Sequence, residues 1–180
     1  ADRNTGGYPF AQVSASYLPL FTNWQRTATD LNAFPQSGGA AQARAALVTA
    51  VNAGQAVLGY YGHSSPSSWT QEGVLTTTLI EGALFNNASR PTAVVQLGCY
   101  GAYFVNPRYN SISHGFLLGS SGAAAVLAAS GLTGVISDEL YAANALPSLA
   151  AGQRIGDVLR DTANSIRNTN PELLDVIIGT

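Results

Sequence analysis

The sequence has no lysine, no methionine and a single cysteine, and it is poor in charge. Its 180 residues contain eight basic side chains, all arginine, against ten acidic ones. The arginines are scattered and form no basic cluster, which argues against nucleic acid as a partner. Charged residues make up 10%, compared with about 25% in a typical soluble domain. Because small, uncharged polar residues are abundant instead, we expect an extracytoplasmic protein.

The single cysteine, Cys99, and the lack of long apolar runs limit the chain further. One cysteine allows neither an intramolecular disulfide nor a cysteine-based zinc site. No apolar stretch approaches the roughly 20 residues that a membrane-spanning helix needs, and no charged and apolar leader opens the sequence. We therefore expect residues 1–180 to be a soluble single-domain segment, with any targeting segment already absent.

Three short apolar runs predict buried strands. They cover residues 55–61, 92–97 and 122–129, and each continues into a loop that contains glycine or serine. Continuous apolar runs of this length are typical of strands that are buried on both faces of a parallel sheet. In such sheets, functional groups collect in the loops beyond the carboxyl ends of the strands.

Helical periodicity lies between and after these runs. Apolar residues repeat on one face over residues 40–53 and again from residue 155. A shorter pattern over residues 10–17 is cut by Pro19, and residues 173–178 are interpreted as a last strand. This alternation predicts an α/β fold with a mainly parallel sheet. Since no first strand opens the chain, we expect a processed part of a longer polypeptide, whose remainder is a candidate partner.

His63 and Cys99 each follow one of the predicted strands. If those strands are neighbours in a parallel sheet, the imidazole and the thiol lie at the same edge. Cysteine peptidases need this pair, because the imidazole lowers the pKa of the nucleophilic thiol and protonates the leaving amine. The main-chain amides of Ser64 and Cys99 are candidates for an oxyanion site. The sequence therefore indicates a Cys–His pair with the chemistry of acyl transfer.

Two blocks of sequence surround these residues. In residues 61–69, Gly-His is followed by Trp69, six residues beyond the histidine, and residues 94–104 form an apolar strand that runs into Gly-Cys, an aromatic residue and Gly. Both blocks, and the separation of 36 residues between His63 and Cys99, resemble the gingipain family of cysteine peptidases. Shorter similarities extend the resemblance from about residue 54 to residue 179, and Ser64 stands where the family has glycine.

This resemblance implies a caspase-like fold, a three-layer α/β sandwich of which the chain supplies part. It implies a bacterial cysteine endopeptidase outside the cytoplasm, which cleaves proteins through a Cys99–His63 dyad and an acyl-enzyme and requires no cofactor. Family members can carry structural calcium, but acidic and amide side chains do not cluster here at the spacing of a calcium loop. The residues expected around the substrate pocket are Trp69, Gly98, Tyr100, Ser130 and Gly131. Trp69 is expected to pack beneath the histidine loop and to shape one side of the pocket as a supporting residue.

For each of three acidic residues, the sequence allows two interpretations. Asp2 resembles the end of the family's preceding strand, where an acid can orient the histidine, but residues so close to a terminus are more often frayed and solvated. Asp138 and Glu139 follow the third strand and are candidates to line a specificity pocket. We favour the other interpretation, in which Ser137 caps a helix whose first turn holds both acids. His114 is interpreted as a helix-start or surface histidine.

The sequence is also compatible with functions other than hydrolysis. A transpeptidase would use the same dyad and resolve the thioester with an amine, and nothing in the sequence separates the two outcomes. A non-catalytic scaffold would be expected to lose His63 or Cys99, and both are present. A serine hydrolase that uses Ser64 is rejected, because Pro66 replaces the last glycine of the G-x-S-x-G elbow. The transpeptidase and the scaffold stay open as alternatives.

Overall fold

The computed structural model describes residues 1–4, 6–108 and 110–173. Short 3₁₀ turns connect the regular elements at Leu18–Phe21, Leu31–Ala33 and Pro171–Leu173. The helices and strands are, in chain order, α1 (Phe10–Ser16), α2 (Gly39–Asn52), β1 (Val57–Tyr61), β2 (Ser64–Ser65), β3 (Ser68–Trp69), β4 (Leu75–Thr76), α3 (Thr77–Glu81), β5 (Thr92–Leu97), α4 (Ile112–Leu118), β6 (Ala123–Leu127), α5 (Val135–Ala150) and α6 (Ile155–Thr169).

The three predicted apolar runs form a parallel sheet in the order β1-β5-β6. In the pairing of β1 with β5, Val57 lies opposite Ala93 and Tyr61 opposite Leu97. All residues of the central strand β5 except Ala93 are buried, as expected for a strand with helices on both of its faces. The three predicted strands and their parallel arrangement are confirmed.

Helices cover both faces of this sheet. Neighbouring residues of a strand point to opposite faces, so Val94 and Val95 belong to two different hydrophobic clusters. Val95 packs with residues of α1, α5 and α6, whereas Val94 packs with residues of α2, α3 and α4. The molecule is therefore a three-layer α/β sandwich, as predicted.

A second, smaller sheet follows His63. Strands β2, β3 and β4 pair antiparallel and fold the chain back beneath the histidine loop. The turn buries Trp69, whose ring stacks on Tyr60 with 4.4 Å between the ring centroids. Strands of two residues are too short to show a periodic pattern, which is why the sequence did not predict this sheet.

The helical patterns are confirmed, except at the start of α5. Helices α2 and α6 begin at Gly39 and Ile155, within one residue of the predicted positions. Helix α5 begins at Val135 with Gly134 as its N-cap, so the prediction of Ser137 as the N-cap is wrong. Ser137 lies one turn further on, where its Oγ accepts a hydrogen bond from the Gly134 N–H at 3.0 Å. A serine in the first turn can thus bond back to the N-cap residue. The presence of a serine therefore does not show whether it is the N-cap itself or the third residue of the helix.

The last predicted strand lies almost entirely beyond the described part of the chain. Residues 174–178 are outside the described residues, and Leu173 belongs to the 3₁₀ turn Pro171–Leu173. Helix α1 ends at Ser16, before Pro19, as the sequence predicts. Within the described ranges, no helix has both the length and the apolar character needed to cross a membrane.

Candidate active site

The register of β1 and β5 brings the loops that carry His63 and Cys99 to the same edge of the sheet. Tyr61 lies opposite Leu97 where the two strands end, and His63 and Cys99 each follow two residues later. The Gly62 N–H extends the ladder by donating to the Leu97 carbonyl at 3.1 Å. β1 and β5 are therefore neighbours, as the predicted Cys–His pair requires.

The glycine at position 98 lets these two loops touch. A Cβ added to Gly98 would lie 2.3 Å from the Gly62 carbonyl oxygen and 2.7 Å from Ser64 Oγ. Without that side chain, the Ser64 hydroxyl reaches the Cys99 carbonyl and donates to it at 2.7 Å. The main chain at the candidate nucleophile is thus tied directly to the histidine loop.

Gln96 is a buried hydrogen-bonding centre between the two loops. It lies in β5 and is 4% exposed. Its Oε1 accepts from Trp69 Nε1 at 2.7 Å, and its Nε2 donates to Ser64 Oγ at 3.0 Å. The Ser64 hydroxyl in turn donates to the Cys99 carbonyl. Because every link in this network is satisfied and mostly buried, it holds the main chain around the cysteine in one arrangement. In the sequence, Gln96 lies within a mostly apolar run, and nothing near it indicates this role.

We expect Gln96→Leu to lower the free energy of unfolding by about 1–3 kcal/mol, because it leaves the buried Trp69 N–H without its acceptor and removes the donor to Ser64 Oγ. Urea denaturation followed by tryptophan fluorescence measures the loss. Gln42→Leu, on the exposed side of α2, is the matched control and should change stability by less than about 0.5 kcal/mol. Equal effects of the two substitutions would contradict a stabilising role for the Gln96 network.

The main chain of His63 is held on both sides, while the residue itself is exposed. Its N–H donates to Asp2 Oδ2 at 2.9 Å. Its carbonyl accepts from the Thr70 N–H at 2.9 Å and from the Tyr60 hydroxyl at 2.5 Å. The imidazole packs edge-on against Phe10, with 5.0 Å between the ring centroids. These contacts fix the histidine loop and leave the residue accessible to a substrate.

Asp2 is buried against the histidine loop, with only 2% of its surface exposed. Its carboxylate accepts from the main-chain N–H groups of Arg3 and His63, and its own N–H donates to the Tyr61 carbonyl at 3.0 Å. Burial raises the pKa of the Asp2 carboxyl, and the two N–H donors oppose that shift. The interpretation of Asp2 as frayed and solvated is wrong, because both its backbone and its side chain are bonded. It contacts His63 through the main chain of that residue.

The Cys99 thiol is partly exposed and lies against the loop that follows β6. Its Sγ donates to the Thr133 carbonyl at 3.3 Å, and the Thr133 hydroxyl lies 3.7 Å from the sulfur. Beside it, the Tyr100 N–H donates to the Gly131 carbonyl at 2.8 Å. Two predicted pocket residues, Tyr100 and Gly131, are thus joined next to Cys99, and the third, Ser130, precedes Gly131 in the same loop. The sequence does not identify Thr133 as a site residue, because Thr133 contacts Cys99 only when the loop after β6 folds back onto the cysteine.

Trp69 lies beneath the histidine loop and not at the surface of the site. Its ring is 1% exposed, and it packs between Tyr60 and Phe116, whose ring centroids lie 4.4 and 5.6 Å away. A ring enclosed in this way offers no surface to a substrate. Trp69 therefore supports the loop from below, as expected, but it does not also form one side of the pocket.

The partly buried Asp138 carboxylate is linked to the Cys99 thiol through one intervening residue, Thr133. It lies in the first turn of α5, as expected, and accepts from the Thr133 hydroxyl at 3.2 Å. Burial raises the pKa of Asp138 to about 7, and the hydrogen bond from Thr133 acts in the opposite direction. Its neighbour Glu139 is exposed and accepts a hydrogen bond from the Tyr8 hydroxyl. Asp138 thus reaches the site through Thr133, which contacts Cys99.

We expect the Asp138 carboxyl to make the folded protein less stable as the pH rises from about 4 to about 7. An unfolded aspartate ionises near pH 4, whereas the folded pKa is about 7, so over this range the unfolded state alone is charged and is favoured. The loss is complete above pH 7 and amounts to at most about 4 kcal/mol, since one pH unit corresponds to about 1.4 kcal/mol. Urea denaturation of Asp138→Asn should therefore show a smaller fall in stability between pH 5 and pH 8 than the unsubstituted chain. Parallel profiles would contradict this.

The second histidine, His114, lies in the first turn of α4. His114 is the third residue of α4, and its Nδ1 accepts from the Ser111 N–H at 3.1 Å, which agrees with its interpretation as a helix-start residue. In the part of the chain that the structure describes, no group of three or more histidine, cysteine, aspartate and glutamate side chains could hold a metal ion.

Comparisons with known proteins agree with this architecture. The sequence profile of peptidase family C25 matches residues 2–176. Two solved structures share the fold: a complex of the pro- and mature domains of RgpB from Porphyromonas gingivalis, and the Arg-specific cysteine proteinase gingipain R (RgpB). Each matches with a TM-score of 0.76 at 14% identity over 94% of this chain. The chain spans about two fifths of their lengths, 41% and 40%. No curated protein sequence matches it.

The fold and the loops at the edge of its sheet define the class: an α/β protein with the architecture of the gingipains. The chain belongs to peptidase family C25.

Proposed function

We propose that this protein is a cysteine endopeptidase in which Cys99 is the nucleophile and His63 the general base and acid. The observation that carries the proposal is the meeting of the two loops beyond β1 and β5, where the Ser64 hydroxyl bonds to the Cys99 carbonyl at 2.7 Å. This arrangement brings a partly exposed thiol and an exposed histidine to one edge of the sheet. A nucleophile and a base at this edge are what acyl transfer requires.

The reaction begins when His63 takes the proton of the Cys99 thiol and the thiolate attacks the scissile carbonyl carbon. The carbonyl oxygen becomes an oxyanion, held by the main-chain amides of Ser64 and Cys99. Its collapse breaks the C–N bond, and the protonated His63 gives its proton to the leaving amine. Water, deprotonated by His63, then hydrolyses the thioester and restores the thiol. No cofactor takes part in these steps.

In this mechanism Asp2 is a positioning residue. Its carboxylate binds the N–H of His63, and the Tyr60 hydroxyl binds the carbonyl of the same residue. Together they fix the backbone from which the imidazole extends. On the other side of the thiol, Tyr100 and Gly131 are joined by a hydrogen bond of 2.8 Å. We place the substrate along that wall, since its main chain is held rigid beside the nucleophile.

The substrates that we propose are proteins, cleaved outside the cytoplasm of a bacterium. One matching structure is of a protein described as an Arg-specific cysteine proteinase, and the other includes a pro-domain. The chain spans about two fifths of both, so its own precursor is a further candidate partner. The low charge of the sequence agrees with an extracytoplasmic site of action.

Alkylation by iodoacetamide tests the pair directly. An unperturbed thiol is only about 1% thiolate at pH 6.5, so a cysteine paired with an imidazole should react at least about tenfold faster there. We expect His63→Ala to remove this advantage, and His114→Asn, which changes the other histidine, to retain it. Mass spectrometry of the native protein over time gives the rates. A Cys99 that resists alkylation, or that reacts equally fast without His63, would contradict the dyad.

A further inference from the structure

The hydroxyl of Thr133 lies between two acidic groups, the Cys99 thiol and the Asp138 carboxyl. Its Oγ1 is 3.7 Å from Cys99 Sγ and 3.2 Å from Asp138 Oδ2. A hydroxyl has one proton to donate and two lone pairs with which to accept. The sulfur and the carboxyl therefore compete for a single Thr133 proton, and the charge of Asp138 decides which of them receives it.

An ionised Asp138 draws this proton to itself, because a hydrogen bond to a charged acceptor is stronger than one to a neutral sulfur. The Cys99 sulfur then receives no bond from the Thr133 hydroxyl and keeps its own hydrogen, which it donates to the Thr133 main-chain carbonyl at 3.3 Å. A carbonyl accepts hydrogen bonds and donates none, so this contact favours the neutral thiol over the thiolate. The negative charge of Asp138 acts in the same direction.

A protonated Asp138 reverses these hydrogen bonds. Its O–H can donate to Thr133 Oγ1, which leaves the Thr133 proton free to turn towards Cys99 Sγ. A thiolate accepts that bond, and a hydrogen bond donated to the charged form of a group favours that form. The Cys99 thiolate is therefore better stabilised when Asp138 is neutral than when it is ionised.

The surroundings of Asp138 allow it to change its charge near neutral pH, since burial raises the pKa of this carboxyl to about 7. Its charge also acts on the hydroxyls of Tyr8 and Tyr17, on the side of α1, and burial raises the pKa of both, so they are neutral at this pH. The next residue of α5, Glu139, is exposed and accepts a hydrogen bond from Tyr8. His63 is a further titratable group at this edge of the sheet.

We propose that Thr133 couples the protonation of Asp138 to that of Cys99, so that a protonated Asp138 promotes the thiolate and an ionised Asp138 opposes it. Asp138 is in this respect a positioning residue, because it acts on the sulfur through the Thr133 hydroxyl. The catalytic importance of the coupling rests on the proposed function of Cys99 as the nucleophile. The coupling itself is a property of the thiol and does not require His63.

The rate at which iodoacetamide alkylates Cys99, followed by mass spectrometry at pH 5.5 and pH 7.5, tests the coupling. The measurement uses the His63→Ala background, so that a failure of the proposed dyad does not affect it. Asp138→Asn cannot ionise and keeps an N–H that can donate to Thr133 Oγ1. We expect it to speed alkylation about three- to tenfold at pH 7.5, the effect of one hydrogen bond. At pH 5.5, where Asp138 is already protonated, the change should be less than about twofold.

Two further substitutions separate the coupling from a simple effect of charge. Glu139→Gln removes one negative charge from the exposed neighbouring residue and, as the matched control, should change the rate by less than about twofold. In Thr133→Val, which lacks the hydroxyl but keeps the main-chain carbonyl, adding Asp138→Asn should also change the rate by less than about twofold. Thr133→Ala takes its place if urea denaturation shows that Thr133→Val does not fold. The proposal is overturned if Asp138→Asn does not speed alkylation at pH 7.5, if it acts equally at both pH values, if Glu139→Gln acts as strongly, or if the effect persists without the hydroxyl.

Discussion

We expect Cys99→Ala to abolish peptide-bond cleavage, with kcat/KM lowered by on the order of 10⁵-fold or more. The thiolate forms the covalent intermediate, so without it the two-step pathway does not exist, and only the weak acceleration by the oxyanion site and by binding remains. Initial rates on an unfolded protein substrate measure the loss. They should be taken on the longest form of the protein that cleaves.

The fold should survive this substitution. Cys99 is partly exposed, and the contacts of its Sγ are with Thr133, so the unfolding free energy should fall by no more than about 1–2 kcal/mol. Cys99→Ser keeps the size and the hydrogen bond but is a far weaker nucleophile, and it should be nearly as inactive. Cleavage retained by Cys99→Ala, in a protein that denatures like the unsubstituted one, would eliminate the dyad and leave the scaffold alternative.

The second large effect is expected from Gly98→Ala. The added Cβ would lie 2.3 Å from the Gly62 carbonyl oxygen, so the histidine loop and the cysteine loop must move apart. A displacement of about 1 Å between reacting groups can cost on the order of 100-fold in rate, and the crowding should cost about 1–3 kcal/mol of stability. We therefore expect kcat to fall by about 100-fold while the protein remains folded.

Gly59→Ala is the matched control for this prediction. Gly59 lies in β1, three residues before Gly62, and a Cβ there meets no atom within 4 Å. Both kcat and the unfolding midpoint should stay close to those of the unsubstituted protein. If Gly98→Ala cleaves as fast as Gly59→Ala, the close approach of the two loops does not matter to the reaction.

The parts of the fold with clear periodicity could be predicted from the sequence. β5 is mostly apolar and almost wholly buried, and α6 repeats its apolar residues on one face, because each must bury that surface against a neighbour. The start of α5 was misplaced by one turn, since a serine serves equally as the cap or as the residue that bonds back to it. The small sheet β2–β4 was missed, because two-residue strands are specified by the partners they meet.

The same distinction, between local sequence patterns and tertiary contacts, applies to the residues of the candidate site. His63 and Cys99 could be found because each follows an apolar run and belongs to a recognisable local motif. Gln96 and Thr133 could not, since nothing in the neighbouring sequence says that a side chain from a distant loop will reach them. The position of Asp2 near the terminus favours a frayed residue over an orienting acid, but tertiary contacts bury it and bond its carboxylate to the His63 N–H.

The sequence by itself determined the α/β class, the parallel strands and the two residues proposed to carry the chemistry. These follow from short-range patterns, because burial on a strand or a helix face leaves its period in the chain. Only the tertiary structure decided that β1 and β5 are neighbours in register, that Gly98 allows their loops to touch, and that Gln96 joins Trp69 to Ser64. Such features depend on contacts between residues far apart in the chain, whose geometry is fixed only when the helical layers pack against the sheet.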